Sequence, residues 1–215
     1  MTPSAAEVYG LALDGSRARL RARRPDGSAM ALALDRWLGP LTAADEAVLD
    51  RAQAPVLDVG CGPGRHVLAL ARRGRMALGV DIAPAAVRVA RLRGARAIEA
   101  SVFASIPGAG TWGSALLLDG NIGIGGAPPA LLARLHELLR PGGEVLVELA
   151  PPGVAATSER IHLELGDQRS RPFPWAYVGA DAIDCPARTA GFAVAERWRD
   201  ERRWFARLVA EPGPG

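Results

Sequence analysis

Lysine is absent from this 215-residue chain: all 26 basic residues are arginine, balanced against 23 acidic ones. A net charge of +3 is too small to indicate a polyanionic partner. Aromatic residues make up only 5% of the chain, too few to suggest base-stacking platforms. Arginine without lysine, together with many Ala, Gly and Pro, is typical of a coding bias towards G and C. We therefore do not expect nucleic acid as a partner.

Cysteine is also scarce. The two cysteines, Cys61 and Cys185, belong to no Cys-x-x-Cys pair, which argues against a structural zinc site and a redox motif. A chain of this length buries enough surface to fold without disulfide or metal. The sequence therefore predicts no metal site.

Long uninterrupted apolar runs are missing. The first ten residues show no basic segment followed by an apolar core, so no secretory signal is predicted. The weakly charged stretch 100–133 is broken by Pro107, Asp119 and many glycines, unlike a membrane span. These absences favour a cytoplasmic protein without a membrane segment.

From Val56 onward, short apolar runs alternate with helical patterns, which predicts an α/β sheet with parallel strands. Strands are predicted at 55–60, 76–81, 95–101, 114–120 and 144–150, and helices at 65–74, 84–94, 128–143 and 180–191. Residues 193–211 read as two strands around a charged turn. The chain is thus expected to end in an antiparallel hairpin.

Two segments lie outside this alternation. Residues 1–52 are predicted to form an appendage over the ligand site, with an Arg-rich β-hairpin across 17–34 and a helix capped by Thr42. The core domain is predicted at 53–211. Within it, 151–180 is expected to be an irregular insertion with one short strand, positioned as a lid or substrate wall.

The stretch "LDVGCGPGRH" follows the first core strand and places Gly60, Gly62 and Gly64 at the carboxyl edge of the sheet. Its spacing differs from the Gly-x-Gly-x-x-Gly that receives a dinucleotide pyrophosphate. The second strand ends 21 residues after Gly60, at Asp81. A carboxylate there can accept both hydroxyls of a ribose, so a nucleoside with a free 2′-OH is the predicted ligand.

Three stretches, "VLDVGCGPGRHVLALARRG", "ALGVDIAPAAVRVAR" and "LLRPGGEVLVEL", resemble the class I S-adenosylmethionine-dependent methyltransferases over about residues 55–150. The resemblance implies a Rossmann-like α/β fold. Its mixed seven-stranded sheet would have the order 3-2-1-4-5-7-6, helices on both faces and an antiparallel C-terminal hairpin. It also implies S-adenosylmethionine as cofactor, a ligand without any phosphate.

The resemblance carries cofactor contacts onto particular residues. By the family's pattern, Asp81 holds the ribose and Ile82 lies beside the adenine. The family's third motif usually offers an acidic residue to the adenine amine, whereas this chain has Ser101 in "EASVF". Tyr9 and Trp37 are expected to close over the cofactor. The full predicted cofactor set is Asp58, Gly60, Cys61, Gly62, Gly64, Asp81, Ile82, Ser101, Val102 and Asp119.

Methyl transfer from a sulfonium needs a protein base only when the nucleophile arrives protonated. His162, in the insertion, is a candidate base; the alternative is a strand histidine without a catalytic part. Asp119 is a second candidate that would orient or deprotonate the acceptor, unless it contacts the cofactor amine or caps a turn. His66 is expected to pack beside the loop, and His136 is expected on the surface.

The loop "DGNIGIGG" (119–126) lacks the Asn/Asp-Pro-Pro-aromatic motif of enzymes that methylate base amines. Its glycines are expected to admit a flat acceptor, with Asn121 hydrogen-bonded to it. The insertion contributes an aromatic pocket of Phe173, Trp175 and Tyr177, or these side chains merely cover the sheet edge.

The predicted function is methyl transfer to a small organic acceptor. Two alternatives stay open: an RNA or protein methyltransferase that docks through its Arg-rich hairpin, and a protein that binds the cofactor without methyl transfer. The oligomeric state is left undetermined.

Overall fold

The computed structural model describes residues 1–15 and 19–211. In chain order its elements are α1 (Ala5–Leu13), β1 (Arg21–Arg23), β2 (Ala29–Ala31), α2 (Leu34–Leu38), α3 (Ala43–Arg51), β3 (Val56–Val59), α4 (Arg65–Arg72), β4 (Ala77–Asp81), α5 (Pro84–Leu92), β5 (Ala97–Glu99), β6 (Trp112–Leu117), a 3₁₀ turn (Asn121–Gly123), α6 (Pro128–Leu138), β7 (Leu139–Leu149), β8 (Thr157–Leu165), β9 (Gln168–Arg169), β10 (Phe173–Tyr177), α7 (Asp184–Thr189), β11 (Phe192–Asp200) and β12 (Arg203–Ala210).

Seven of these strands form one mixed sheet in the order β11-β12-β7-β6-β3-β4-β5. The five strands from β5 to β7 run parallel, and β12 pairs antiparallel with both β7 and β11. Numbered along the core, this order is 3-2-1-4-5-7-6. The predicted sheet and its antiparallel end are therefore confirmed.

Both faces of this sheet are covered, which explains why its central strands are apolar without alternation. Val56 packs towards α3, α4 and α5, whereas its neighbour Leu57 packs towards α6 and α7. Strands β3 and β6 are buried at every position. Parallel strands buried this way present their carboxyl ends as the open edge, which is where ligands bind in such sheets.

A second, smaller sheet has the order β10-β8-β1-β2, with β9 paired beside β8. The expectation that 151–180 is irregular with one strand is wrong, since β8, β9 and β10 all lie within it. Pro174 fits in β10 because that strand is at the edge of the sheet, where a missing N–H leaves no ladder bond unmade.

The N-terminal segment supplies the other half of the second sheet. Strands β1 and β2 form a hairpin on either side of the predicted turn, while part of its first predicted arm, 16–18, lies outside the described residues. Helix α1 was not predicted, although its capping box of Ser4 and Glu7 has the recognisable spacing Ser-x-x-Glu. The predicted cap of α3 is confirmed, with Thr42 and Asp45 bonded reciprocally.

A hydrophobic cluster joins α1 to the second sheet. It contains Val8, Leu20, Ala22, Ile161 and Leu163, all buried. Strand β1 pairs antiparallel with β8, so that Ala22 lies opposite Leu163. The second sheet is thereby held at the open edge of the large one.

None of the helices among the described residues combines the length and the apolar character that crossing a bilayer requires.

Candidate active site

A cavity of about 820 Å³ lies between the carboxyl ends of the large sheet and the second sheet. Its two sides differ in chemistry. We call the charged floor the group Arg36, Asp45, Asp58, Arg65, His66, Asp119, Glu148 and Arg203. We call the apolar wall the group Met30, Ile161, Leu163, Phe173, Trp175, Tyr177 and Val178.

The glycine loop forms the centre of the cavity. Gly62 has φ +52°, a left-handed conformation that strongly favours glycine. A Cβ on Gly62 would lie 3.0 Å from the Tyr9 hydroxyl oxygen. Behind the loop, the Asn121 side-chain amide donates to the carbonyls of Val59 (2.8 Å) and Gly60 (3.0 Å). The loop therefore lies close to Tyr9 and is fixed by Asn121.

Asp81 ends β4 beside this loop and lines the cavity. One carboxylate oxygen accepts the Gly62 N–H and the other accepts the Ala83 N–H, each at 2.8 Å. Burial raises the pKa of Asp81, against the opposing effect of these backbone hydrogen bonds. Each carboxylate oxygen has a further lone pair, so the side chain retains capacity for two hydroxyl donors.

The cavity continues towards the end of β5, where Ser101 and Val102 line it together with Ile82 and Phe103. The Ser101 hydroxyl accepts the backbone N–H of Phe103 at 3.3 Å. Ile82 is 63% exposed and Phe103 is 47% exposed. This end is apolar and open to solvent. Phe103 was not among the predicted contacts.

Asp119 lies at the junction of the cavity's two sides, in a left-handed conformation with φ +57°. Its carboxylate pairs with Arg36 and, at 2.9 Å, with Arg65, while its N–H donates to Glu148 at 2.7 Å. Burial alone would raise the pKa of Asp119, but the charges of Arg65, His66 and Arg36 outweigh it and lower that pKa. A carboxylate stabilised in its charged form is a weak base, which argues against proton abstraction by Asp119.

Below Asp119, the charged floor continues into the protein interior. Asp45 on α3 is 0% exposed and pairs with Arg65 and, at 2.6 Å, with Arg203. Burial would raise the pKa of Asp45, yet its contact with His66 and its hydrogen bonds with Arg65 and Arg203 lower that pKa well below its usual range. Arg203 also grips Glu148 at 2.8 and 2.7 Å, which is the bidentate geometry that guanidinium favours.

His66 lies between two carboxylates of the floor. Its ring nitrogens are 3.7 Å from Asp45 and 3.5 Å from Asp58. Burial disfavours a charged imidazole, but these two partners outweigh it and raise the pKa of His66 to about 9. One carboxylate oxygen of Asp58 is buried without a hydrogen-bond partner. The predicted packing position beside the loop thus also favours a protonated imidazole.

The apolar wall is built by β8 and β10. The rings of Phe173 and Trp175 meet edge to face, 6.1 Å apart, and Arg24 lies over the Tyr177 ring at 4.9 Å. A Cβ on Gly123 would lie 2.5 Å from the Trp175 indole nitrogen. The glycine at position 123 therefore admits the protein's own β10, which corrects the expectation that it makes room for an acceptor.

Known proteins resemble this chain most clearly over the segment that forms the cavity's glycine loop. Residues 56–143 match the protein family described as "Methyltransferase domain". This segment carries the glycine loop, Asp81 and Asp119. This part of the chain is a methyltransferase domain, and the chain has the fold of the S-adenosylmethionine-dependent methyltransferases. A methyltransferase from Bacteroides fragilis, solved with S-adenosyl-L-homocysteine, shares the fold over 98% of this chain and 96% of its own, at 22% identity and a TM-score of 0.80.

Other relatives match less of the chain. A 1,6-didemethyltoxoflavin-N1-methyltransferase from Burkholderia thailandensis covers 79% of each chain at 20% identity and a TM-score of 0.57. A ubiquinone biosynthesis O-methyltransferase from Xanthomonas oryzae is 50% identical over 54 residues, which are 25% of this chain and 21% of that protein. The chain spans about a fifth of the length of the curated relatives it matches.

Most of the predicted cofactor residues line the cavity: Asp58, Gly60, Cys61, Gly62, Asp81, Ile82, Ser101, Val102 and Asp119. Gly64 lies instead against α5, where a Cβ would come within 2.9 Å of Ala90 and Ala95. Gly64 also has φ +79°, so both its left-handed backbone and its close packing favour glycine. Burial strongly raises the pKa of the Cys61 thiol, so the cysteine contacts the cavity as a small apolar side chain.

His162 does not line the cavity of the methyltransferase. Successive side chains of a strand point to opposite faces, and its neighbours Ile161 and Leu163 take the cavity side. His162 is buried behind them and contacts Glu164 at 3.1 Å. The expectation that it faces the substrate as a base is wrong. The alternation in "RIHLEL" already contained this signal.

Asn121 lines the cavity, and its amide hydrogens bond to the loop carbonyls of Val59 and Gly60. A bond to the acceptor could therefore be made only through its Oδ1, and that contact stays a prediction. The expectation that His136 lies on the surface is corrected. His136 is half-buried, with its ring 5.3 Å from that of Phe192. Among the described residues, no cluster of three or more His, Cys, Asp or Glu side chains is arranged to hold a metal ion.

Proposed function

We propose that this methyltransferase binds S-adenosylmethionine across the carboxyl edge of its large sheet and transfers the methyl group to a small organic acceptor held against the apolar wall. The observation that carries the proposal is the cavity itself. It joins a glycine loop and a strand-end carboxylate on one side to an uncharged aromatic surface on the other.

The residues present fit the cofactor from end to end. Neighbouring strands end in Asp119 after β6, the glycine loop after β3, Asp81 on β4 and Ser101 after β5. A ligand extended along this edge meets an ion pair, then a backbone cradle, then a carboxylate and then an apolar rim. An amino acid, a ribose and a purine match that succession in order.

The amino-acid end is zwitterionic, and the cavity offers both signs of charge there. Arg36 and Asp119 pair with each other at this position. The Arg36 Nε is buried and has no hydrogen-bond partner, and an unpaired buried donor is costly. A ligand carboxylate at Arg36 and a ligand ammonium at Asp119 would satisfy both side chains.

When bound, the cofactor supplies a methyl group on a positively charged sulfur. The chain's own residues hold the two reactants in line and exclude water, which are the main requirements of such a transfer. Asp119 and Glu148, the carboxylates at the junction, are held by Arg36, Arg65 and Arg203. The site therefore works by positioning, and the acceptor arrives with its nucleophile already in reactive form.

A small acceptor suits the wall better than a macromolecule does. The wall offers the faces of Phe173, Trp175 and Tyr177 with few polar groups, as is common for sites that bind flat organic molecules. Two arginines of the β1–β2 hairpin have carboxylate partners, since Arg23 pairs with Glu164 and Arg24 with Glu159. Charge neutralised in this way favours the small-molecule proposal over RNA docking.

Calorimetry with S-adenosylhomocysteine tests the cofactor half. Asp81→Ala removes hydrogen bonds to a charged acceptor, so affinity should fall by about 2–3 kcal/mol. Asp50→Ala, at an exposed carboxylate on α3, is the matched control and should bind normally. Unchanged affinity in the Asp81 variant would contradict the placement of the ribose.

A methyl-labelled cofactor tests the transfer half. The label should move into organic-soluble product when the enzyme is supplied with a panel of flat aromatic amines, phenols and thiols. Wild-type protein that binds S-adenosylhomocysteine yet labels only added RNA or protein would refute the small-molecule acceptor. Binding without any transfer would favour a protein that uses the cofactor for another purpose.

A further inference from the structure

The strand order determines where the purine of the cofactor must lie. With the ribose at Asp81 on β4, the amino-acid end extends over β3 towards β6, and the base extends the other way, towards β5. Asp81 is paired in register with Glu99, the last residue of β5. The residues that follow β5 therefore surround the purine, and Ser101, Val102 and Phe103 line the cavity there.

Four hydrogen-bond acceptors of this segment already have a partner within the chain. The Ser101 hydroxyl accepts the Phe103 N–H at 3.3 Å, and the Ser101 carbonyl accepts the Ala104 N–H at 2.9 Å. The carbonyls of Val102 and Ala104 accept the Arg134 guanidinium at 3.1 and 2.8 Å. Glu99 is exposed and does not line the cavity. A 6-amino group on the purine thus finds no carboxylate in this segment.

The same end of the cavity is open. Ile82 and Phe103 line it while 63% and 47% exposed. They offer apolar contact to the faces of a flat ring and leave its edge towards solvent. A substituent on the 6-amino group therefore has a path out of the cavity, and its absence would leave no buried partner unpaired.

We propose that this site recognises its cofactor by the ribose and the amino-acid end, and holds the purine by apolar contact without selecting its 6-amino group. The enzyme then accepts cofactor analogues that lack this group or carry a bulky substituent on it. This inference rests on the proposed function, because it presumes that S-adenosylmethionine occupies the cavity.

The two ends of the cavity should recognise the cofactor with unequal selectivity. A site built to hydrogen-bond a particular group strongly rejects the analogue that lacks it, because buried partners are left unpaired. The amino-acid end is such a site, with the buried Arg36 Nε and the paired carboxylate of Asp119. The purine end is the opposite, since Ser101 has turned its hydroxyl onto its own backbone.

Calorimetry on the wild-type protein tests this with four ligands and needs no turnover. These are S-adenosylhomocysteine, its purine analogue with hydrogen in place of the 6-amino group, its N6-benzyl derivative and 5′-methylthioadenosine. The first three should bind within about threefold of one another, whereas 5′-methylthioadenosine, which lacks the amino-acid end, should bind at least about tenfold more weakly. Discrimination above about tenfold against the purine analogue or the N6-benzyl derivative overturns the proposal.

A gain of selectivity provides the second test. Ser101→Asp places a carboxylate where the 6-amino group should lie, and should favour S-adenosylhomocysteine over the purine analogue by about tenfold. Ser105→Asp is the matched control, because Ser105 is exposed and does not line the cavity. It should leave both affinities unchanged.

The outcomes distinguish a failure of the proposed function from a failure of the purine placement. If S-adenosylhomocysteine itself fails to bind the wild-type protein, the proposed function fails. If it binds and Ser101→Asp, folded by its thermal melt, creates no preference for the 6-amino group, only the placement of the purine fails.

Discussion

The charged floor and the apolar wall face each other across one cavity and are held together by different physics. Members of the floor such as Asp45 and Arg65 have two or more partners of opposite charge. Those of the wall, such as Phe173 and Trp175, meet through ring contacts. Buried ionic networks fix geometry but fail when one partner is lost. Apolar packing tolerates exchange of side chains of similar volume. The geometry of the floor is thus rigidly determined, and that of the wall is adaptable.

Removing one charge from the floor should have the largest effect. Asp45→Asn keeps the helix cap but leaves Arg65 and Arg203 short of a buried counter-charge. We expect a loss of about 3–5 kcal/mol in the free energy of unfolding, measured by chemical denaturation.

Asp50→Asn on the same helix is the control for this experiment. Asp50 pairs with Arg73 at 3.3 Å, but its side chain is 72% exposed. An exposed pair contributes little, so the change should stay within about 0.5 kcal/mol. Equal losses in both variants would show that the floor is no more than a surface network.

The pH dependence of stability should report His66. Its pKa in the folded protein is raised to about 9, above the value of roughly 6.5 expected in the unfolded chain. The resulting stabilisation is complete below about pH 6.5 and is lost as the pH rises through about 9, up to about 3 kcal/mol in total.

The measurement compares wild type with His66→Gln in unfolding experiments between about pH 6 and pH 9.5. The difference between the two proteins should shrink across this window, because only wild type loses a bound proton there. The groups facing the ring are Asp45, Asp58 and Arg65. Parallel curves would mean that His66 is neutral in the floor.

Asn121 and Trp175 both line the cavity, yet we expect opposite effects from their substitution. Asn121→Ala releases the carbonyls of Val59 and Gly60 and should weaken S-adenosylhomocysteine binding by about 1–1.5 kcal/mol. Trp175→Leu should lower the transfer rate by about tenfold with little change in cofactor affinity. Calorimetry measures the cofactor affinity of each variant, and a transfer assay measures its rate. A loss of cofactor affinity in the Trp175 variant would contradict the separation of the two sides of the cavity.

The smallest effect should come from His162. Because it lies behind the wall and contacts Glu164, His162→Gln should leave the transfer rate within about twofold at every pH and stability within about 1 kcal/mol. Slower transfer confined to low pH would restore its candidacy as a base.

The parts of this architecture that depend on neighbours in the sequence were predictable. Strand and helix periods, the glycine loop and the acid ending the second strand lie within the segment 55–150, so local pattern sufficed to predict these elements, and the family resemblance that they carry implied the sheet order. The capping box of α1 is equally local, and its spacing would have revealed the helix.

The floor and the second sheet were not predictable by these means. Arg203 meets Asp45 across 158 positions, and no period or motif relates residues so far apart. Strand β1 pairs with β8 across a similar interval, so neither segment shows its partner in its own pattern. Asn121 follows a strand at the ligand edge, and the sequence does not show that its amide group bonds to the carbonyls of Val59 and Gly60.

Strand β1 and its partner β8 are separated by most of the chain: Arg23 and Glu164, which pair between them, are 141 positions apart. During synthesis the β1–β2 hairpin leaves the ribosome first, and a two-stranded hairpin alone is marginal in water. It finds its third strand only after the whole parallel half of the large sheet has been made. The glycine loop and Asp81 are therefore synthesised before β8 and β10, so the apolar wall can form only after the opposite side of the cavity has its backbone in place.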